Sequence, residues 1–171
     1  VSPLIELLKN SNADLRMQAA LALGEQQDAR ATDALIQALN DEDTNVRYHA
    51  VEALGKLKAA GAVDALVEIA ESKDFFLTFA ALDALTKIGD ARIVPRIMPL
   101  LEDELLSIPA INLLGQLGDE STVAPLTALL NNPTGPVEAV ADALATLSDR
   151  YEQQYGEARY IADLTSHEIL P

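Results

Sequence analysis

The chain has 171 residues, 49% of them hydrophobic, enough to bury a real core as one continuous domain. Its 12 basic and 27 acidic residues leave a formal net charge of −15, and residues 97 to 149 hold eight acids and no Lys or Arg. That balance excludes nucleic acid as a partner, because duplex binding draws its affinity from cations that neutralise phosphates.

No cysteine is present, so disulfides, thiolate metal sites and thiol nucleophiles are unavailable, which fits a reducing, cytoplasmic setting. Apolar runs such as Ile108 to Leu114 are interrupted by Pro109 and Asn112. They fall well short of the roughly 20 residues that span a bilayer, so no membrane partner is expected. The first residue is Val1, not Met, and Ser2-Pro3 already reads as a helix start, which points to a piece of a longer chain.

Taken in order, the predicted elements form five pairs of helices and a tail. The first pair, about 2–28, opens at Pro3, runs through Leu7-Leu8, turns at Asn10-Ser11-Asn12 and continues through Ala19-Ala20-Leu21-Ala22-Leu23-Gly24. The second, about 32–60, has Ala38-Leu39, the turn Asp41-Glu42-Asp43, and a core stripe of Val46, Ala50, Ala53, Leu54 and Leu57. The third, about 62–90, has Ile69-Ala70, the turn Ser72-Lys73-Asp74, and Ala81-Leu82-Asp83-Ala84-Leu85. Its run Phe75-Phe76-Leu77-Thr78-Phe79 carries all three phenylalanines and is expected to plug a gap in the stack, although such a cluster also suits a partner's anchor.

The fourth pair, about 93–119, contains Pro95, Leu100-Leu101, the turn Glu102-Asp103-Glu104, and Ala110-Ile111-Asn112-Leu113-Leu114-Gly115; Pro99 and Pro109 make it irregular. The fifth, about 122–148, has Pro125, Leu129-Leu130, the turn Asn131-Asn132-Pro133, and Val140-Ala141-Asp142-Ala143-Leu144-Ala145. Residues 149–171, with Tyr151, Tyr155 and Tyr160 ahead of Ile161-Ala162-Asp163-Leu164, read as a capping or linking helix.

Two registers define the repeat. Gly24, Gly55, Thr86, Gly115 and Ala145 follow one another at 31, 31, 29 and 30 residues, and the apolar pairs of the first helices at 31, 31, 31 and 29. Both segments show apolar residues at i, i+3, i+4 and i+7, the helical pattern. Pro3, Pro95 and Pro125 are expected near the starts of first helices, where a missing N–H costs nothing. The polar turns supply N-caps and first-turn acids, which accounts for much of the negative charge.

Repeats of about 30 residues with Asp-x-x-Val-Arg-x-x-Ala-x-x-Ala-Leu-Gly resemble HEAT repeats, specifically the short HEAT-like type named after phycobilisome lyases. Asn45-Val46-Arg47 through Leu54-Gly55 is the best copy and Asp14-Leu15-Arg16 through Leu23-Gly24 the second; Thr78 and Ser107 stand where the later repeats should have arginine. The resemblance covers residues 1–148. It implies an all-α, right-handed α-solenoid of about five HEAT-like pairs, one curved rod with second helices on its concave side.

Opposite the core stripe lies Tyr48, with Met17, Phe79 and Ile108 at the matching positions. Either these four form a partner-binding stripe along the groove, or the neighbouring repeat covers them. One turn on stand Glu52, Asp83, Asn112 and Asp142; the acids are either solvated or, beside an apolar row, suited to a basic or amphipathic protein segment. The expected function is a protein-interaction scaffold with no catalytic residue and no cofactor.

Other chemistries have little material. Only His49 and His167 exist, too few for a histidine metal site or a Ser-His-Asp arrangement. The HEAT-like enzyme deoxyhypusine hydroxylase holds iron with several His-Glu pairs, against the single His167-Glu168 here, and HEAT-like alkylpurine glycosylases use basic, aromatic grooves that this acidic chain lacks. Asp41, Asp43, Asn45 and Glu52 match positions 1, 3, 5 and 12 of a calcium loop, but Val46 occupies its obligatory glycine. Resemblance to phycobilin lyase subunits leaves one alternative, handling of a linear tetrapyrrole on phycobiliproteins.

Overall fold

The computed structural model describes residues 1–72, 74–132 and 135–155, with Tyr155 by its backbone alone. Among these residues the protein is an all-α solenoid of ten α-helices, with short 3-10 segments and no strand. No helix among the described residues is long and apolar enough to cross a membrane. The chain divides into two compact units, Val1–Asp90 and Ala91–Pro171, where the repeat pattern alone suggests one continuous domain.

The first unit contains α1 (Ser2–Leu7), α2 (Ala13–Gln26), α3 (Thr32–Ala38), α4 (Thr44–Lys56), α5 (Val63–Glu71) and α6 (Phe75–Ile88). Asn12 and Asp43 cap α2 and α4: Asn12 Oδ1 accepts from the Asp14 amide at 2.8 Å, and Asp43 Oδ1 from the Asn45 and Val46 amides at 2.8 and 3.2 Å. Beyond the second helices, Gln27, Lys58 and Gly89 all take positive φ, at 50°, 49° and 80°, and so turn the chain toward the next repeat.

The most extensive packing in this unit joins successive second helices, α2 to α4 and α4 to α6. It is possible because α2 and α4 lack a side chain at the crossing. A Cβ on Gly24 would lie 2.9 Å from the Ala53 Cα, and one on Gly55 would lie 2.8 Å from the Ala84 Cα. First helices then close the core with Leu35 and Leu66, which, like Leu23, Leu54, Leu82 and Leu85 in the same unit, are fully buried.

Arg16 fastens the first turn to the second. Its Nε and Nη2 each donate to an Asp41 carboxylate oxygen at 2.8 Å, while Nη1 donates to the Asn10 carbonyl at 2.9 Å. Arg47 does part of this one repeat on, with Nη1 donating to the Asp41 carbonyl at 2.7 Å and Nη2 to Thr44 Oγ1 at 2.9 Å. In the third repeat, buried Thr78 takes the arginine position and its hydroxyl reaches the Ile69 carbonyl at 3.3 Å.

The second unit contains α7 (Val94–Ile97), a 3-10 stretch Met98–Glu102, α8 (Ser107–Leu117), α9 (Glu120–Ala128) and α10 (Val137–Tyr155). Pro99 falls in the first turn of the 3-10 stretch, so the fourth repeat's first helix is broken as its prolines suggest. Pro125 departs from expectation. It sits inside α9, not near its start, because Asp119 caps the helix earlier by accepting from the Ser121 amide at 2.9 Å. Gly115 repeats the close approach, its missing Cβ 2.8 Å from the Ala143 Cα. α10 runs unbroken through residue 148, where the repeat pattern ends, to Tyr155. The remainder of the expected terminal helix, with Tyr160, Ile161 to Leu164 and His167, lies outside the described residues.

Alanine is the better helix former by about 1 kcal/mol, yet Gly55→Ala should destabilise by about 1–3 kcal/mol because its Cβ meets backbone. Gly61→Ala, with nothing within 4 Å, should be neutral or mildly stabilising; urea midpoints of both variants check this. A second prediction concerns acid. Burial pushes the Asp41 carboxyl up, but the Arg16 fork and the Asp43 amide outweigh it and hold the group below its ordinary range. A lowered folded pKa adds stability above the unfolded value, about 3.9, and loses it as pH falls through the folded one. Asp41→Asn should therefore lower the midpoint at neutral pH, with the gap to the parent closing as pH falls below the ordinary carboxylate range and through the lowered folded value.

Candidate functional site

The exposed aromatic face belongs to α6. With Asp74 at its N-cap position the helix starts at Phe75, and Leu77, Thr78, Ala81, Leu82, Ala84 and Leu85 turn inward. Phe75, Phe76 and Phe79 then fall within an arc of about 100° on the other side. They are 42%, 52% and 44% exposed, so the expectation that this cluster plugs the stack is overturned. Helical phase gives the reason: the core side of α6 is filled by Leu77 and Thr78, between the phenylalanines, and by Ala81, Leu82, Ala84 and Leu85 after them.

Tyr48 on α4 is half-buried, its ring 5.2 Å from that of Phe76 at 40° and 5.3 Å from His49 in an edge contact. Met17, half-buried on α2, and Phe79 occupy the same register on the flanking second helices. The row is partly covered at Met17 and Tyr48 and open at Phe79. Phe76, which sequence reasoning left out of the row, joins Tyr48 to it; its position at i−3 from Phe79 was the available signal.

The acidic row sits beside these rings. His49 Nδ1 lies 3.0 Å from Glu52 Oε2, and Lys87 Nζ donates to Asp83 Oδ2 at 2.5 Å. Glu52's charge, with partial burial and Asp83 adding to it, raises the Tyr48 hydroxyl above its usual value, so it stays a neutral donor at physiological pH. The calcium-loop pattern is dispersed by the same contacts: Asp43 caps α4, Asp41 is held by Arg16, and Glu52 lies beside His49.

In the second unit Ile108, Asn112 and Asp142 do meet. They line a cleft of about 620 Å³ with Val137 and Glu138, two residues that sequence reasoning missed because the preceding turn hides where α10 begins. A larger hollow, about 750 Å³, lies between the start of α9 and α10. Its polar groups serve the fold: Arg150 Nη1 donates to the Gly118 carbonyl at 3.0 Å, and the Tyr151 hydroxyl meets Glu120. Ser121 donates to Asp119 and lowers its carboxyl.

Residues 1–78 match the family model of HEAT repeats, and residues 79–103 match that of the PBS lyase HEAT-like repeat. No curated protein sequence matches the chain. Among solved structures, an engineered protein is 19% identical with a TM-score of 0.64, over 98% of this chain and 95% of its own. The complex of CpcE and CpcF of phycocyanin lyase from Nostoc sp. PCC7120 is 22% identical with a TM-score of 0.49, over 97% and 93%. These likenesses concern the fold.

Because the aromatic face contributes little to the core, Phe75→Ser with Phe79→Ser should change unfolding free energy by no more than about 0.5 kcal/mol each. Leu82→Ala, at a fully buried position of α6, should cost about 2–5 kcal/mol. Equilibrium urea unfolding of the variants checks both.

Proposed function

We propose that this chain, a member of the HEAT-like repeat family, is a protein-interaction scaffold that holds a partner along the second helices of residues 1–90. The observation that carries this reading is the exposure of Phe75, Phe76 and Phe79 on one face of α6, beside Tyr48 on α4. Large aromatic side chains left in water gain most when a partner covers them, and aromatic anchors dominate the energetics of interfaces. Glu52 and Asp83 border the face, so an amphipathic segment with basic residues fits it best.

A second reading follows from the match of residues 79–103 to the PBS lyase HEAT-like repeat: handling of a linear tetrapyrrole on a partner protein. Absorbance separates the two. A scaffold leaves the spectrum of an added bilin unchanged, whereas a pigment-handling protein shifts it.

The scaffold reading is tested by capture from a native lysate with the parent and with Tyr48→Ala, Phe79→Ala, after circular dichroism shows equal folding. Retention of a partner by the parent should fall roughly tenfold or more in the variant. Equal retention by both proteins overturns the aromatic row as the contact surface.

A further inference from the structure

The second unit has its own exposed apolar residues, and they are aliphatic: Leu105, Ile108 and Val137, at 60%, 50% and 54% exposure. Ile108 and Val137 flank the cleft of about 620 Å³ between α8 and the start of α10. A neighbouring cleft of about 420 Å³ shares Ile108 and Pro136 with it and reaches Glu102 and Glu104. Together they make one groove with aliphatic residues at its centre and carboxylates along its sides.

The charges of the groove differ in kind from those of the first unit. There, Glu52 lies against His49 and Asp83 against Lys87. Here Glu138 and Asp142, one turn apart on α10, have no hydrogen-bond or ion-pair partner for their carboxylates among the described residues. Residues 97 to 149 contain no Lys or Arg to provide one. Arg150, two turns beyond Asp142, is turned to the Gly115 and Gly118 carbonyls.

An apolar partner closing on Ile108 and Val137 would strip water from these carboxylates and return nothing, whereas a cationic one supplies charge-assisted hydrogen bonds in exchange. We propose that this groove docks a cationic amphipathic segment of another protein. An aliphatic side chain of that segment seats between Ile108 and Val137, and a Lys or Arg one turn away reaches Glu138 and Asp142. The proposal deepens the scaffold reading by giving the second unit a site and a partner chemistry of its own, and it does not depend on the aromatic row.

The test uses the full chain and a fluorescently labelled 18-residue peptide of leucine and lysine in helical register, followed by anisotropy at about 50 mM and about 300 mM salt. Ile108→Ser with Val137→Ser should weaken binding roughly tenfold, and Glu138→Gln with Asp142→Asn roughly fivefold with a shallower salt dependence. The groove variants are read in a Phe75→Ser, Phe79→Ser background, which removes the aromatic row as a second site for the same peptide, and a peptide with glutamate for lysine should not bind. Binding unaltered by the two groove variants overturns the proposal, as does equal binding of the glutamate peptide or loss of binding in the phenylalanine variant. Failure of the aromatic-row reading appears separately, as lysate capture insensitive to Tyr48→Ala, Phe79→Ala with peptide binding intact.

Discussion

Backbone contact between successive second helices is the constraint from which the other features follow. At Gly24 and Ala53, Gly55 and Ala84, and Gly115 and Ala143, the helices approach until the absent glycine Cβ would stand 2.8–2.9 Å from an alanine Cα. Glycine costs a helix about 1 kcal/mol relative to alanine, and the closer packing of buried leucines on either side offsets that cost. The pair operates inside each unit. Thr86 stands at the glycine position of the third repeat and Leu113 at the alanine position of the fourth.

Fixing the helices at this distance also fixes what faces outward. With Leu23, Leu54 and Leu85 buried next to the crossing, the residues on the opposite side of α2, α4 and α6 present Met17, Tyr48 and Phe79 at one register. α6 adds Phe75 and Phe76, because its N-terminal turn is aromatic where α2 and α4 begin with Ala13-Asp14 and Thr44-Asn45. A scaffold surface of this sort requires little beyond the repeat itself: the core sets the phase, and the variable outward positions carry the specificity.

The acidity of the chain has two physical origins. Part is structural: Asp43 and Asp119 cap helices, and Asp41 receives the Arg16 fork that joins two turns. The rest is surface charge, and its setting differs between units. His49 and Lys87 lie beside the acidic row of the first, while Glu138 and Asp142 in the groove of the second have no ion-pair partner among the described residues. Two units built on one repeat therefore offer partners different surfaces, aromatic with compensated charge in one and aliphatic with open charge in the other.

Much of this was readable from residue order. Helical period located both segments of each repeat, the 31-residue register of Gly24 and Gly55 marked the repeats, and the polar turns gave the caps of α2 and α4. Local chemistry decides those features, so local pattern reveals them. The fate of the phenylalanines was not local: whether Phe75, Phe76 and Phe79 fill the core depends on how much room Leu77, Ala81 and Leu82 leave, which only packing against α4 and α5 settles. The start of α9 was equally hidden, since Asp119 and Pro125 compete to define it and the cap won. Left-handed turns at Gln27 and Lys58, without the glycine found at Gly89, show the same thing: the stack imposes on any residue there the conformation that joins one repeat to the next. The sequence by itself determined the repeat, its helices and its charge. The tertiary structure decided which apolar side chains remain in water and which carboxylates meet a basic partner, because both depend on neighbours distant in the chain.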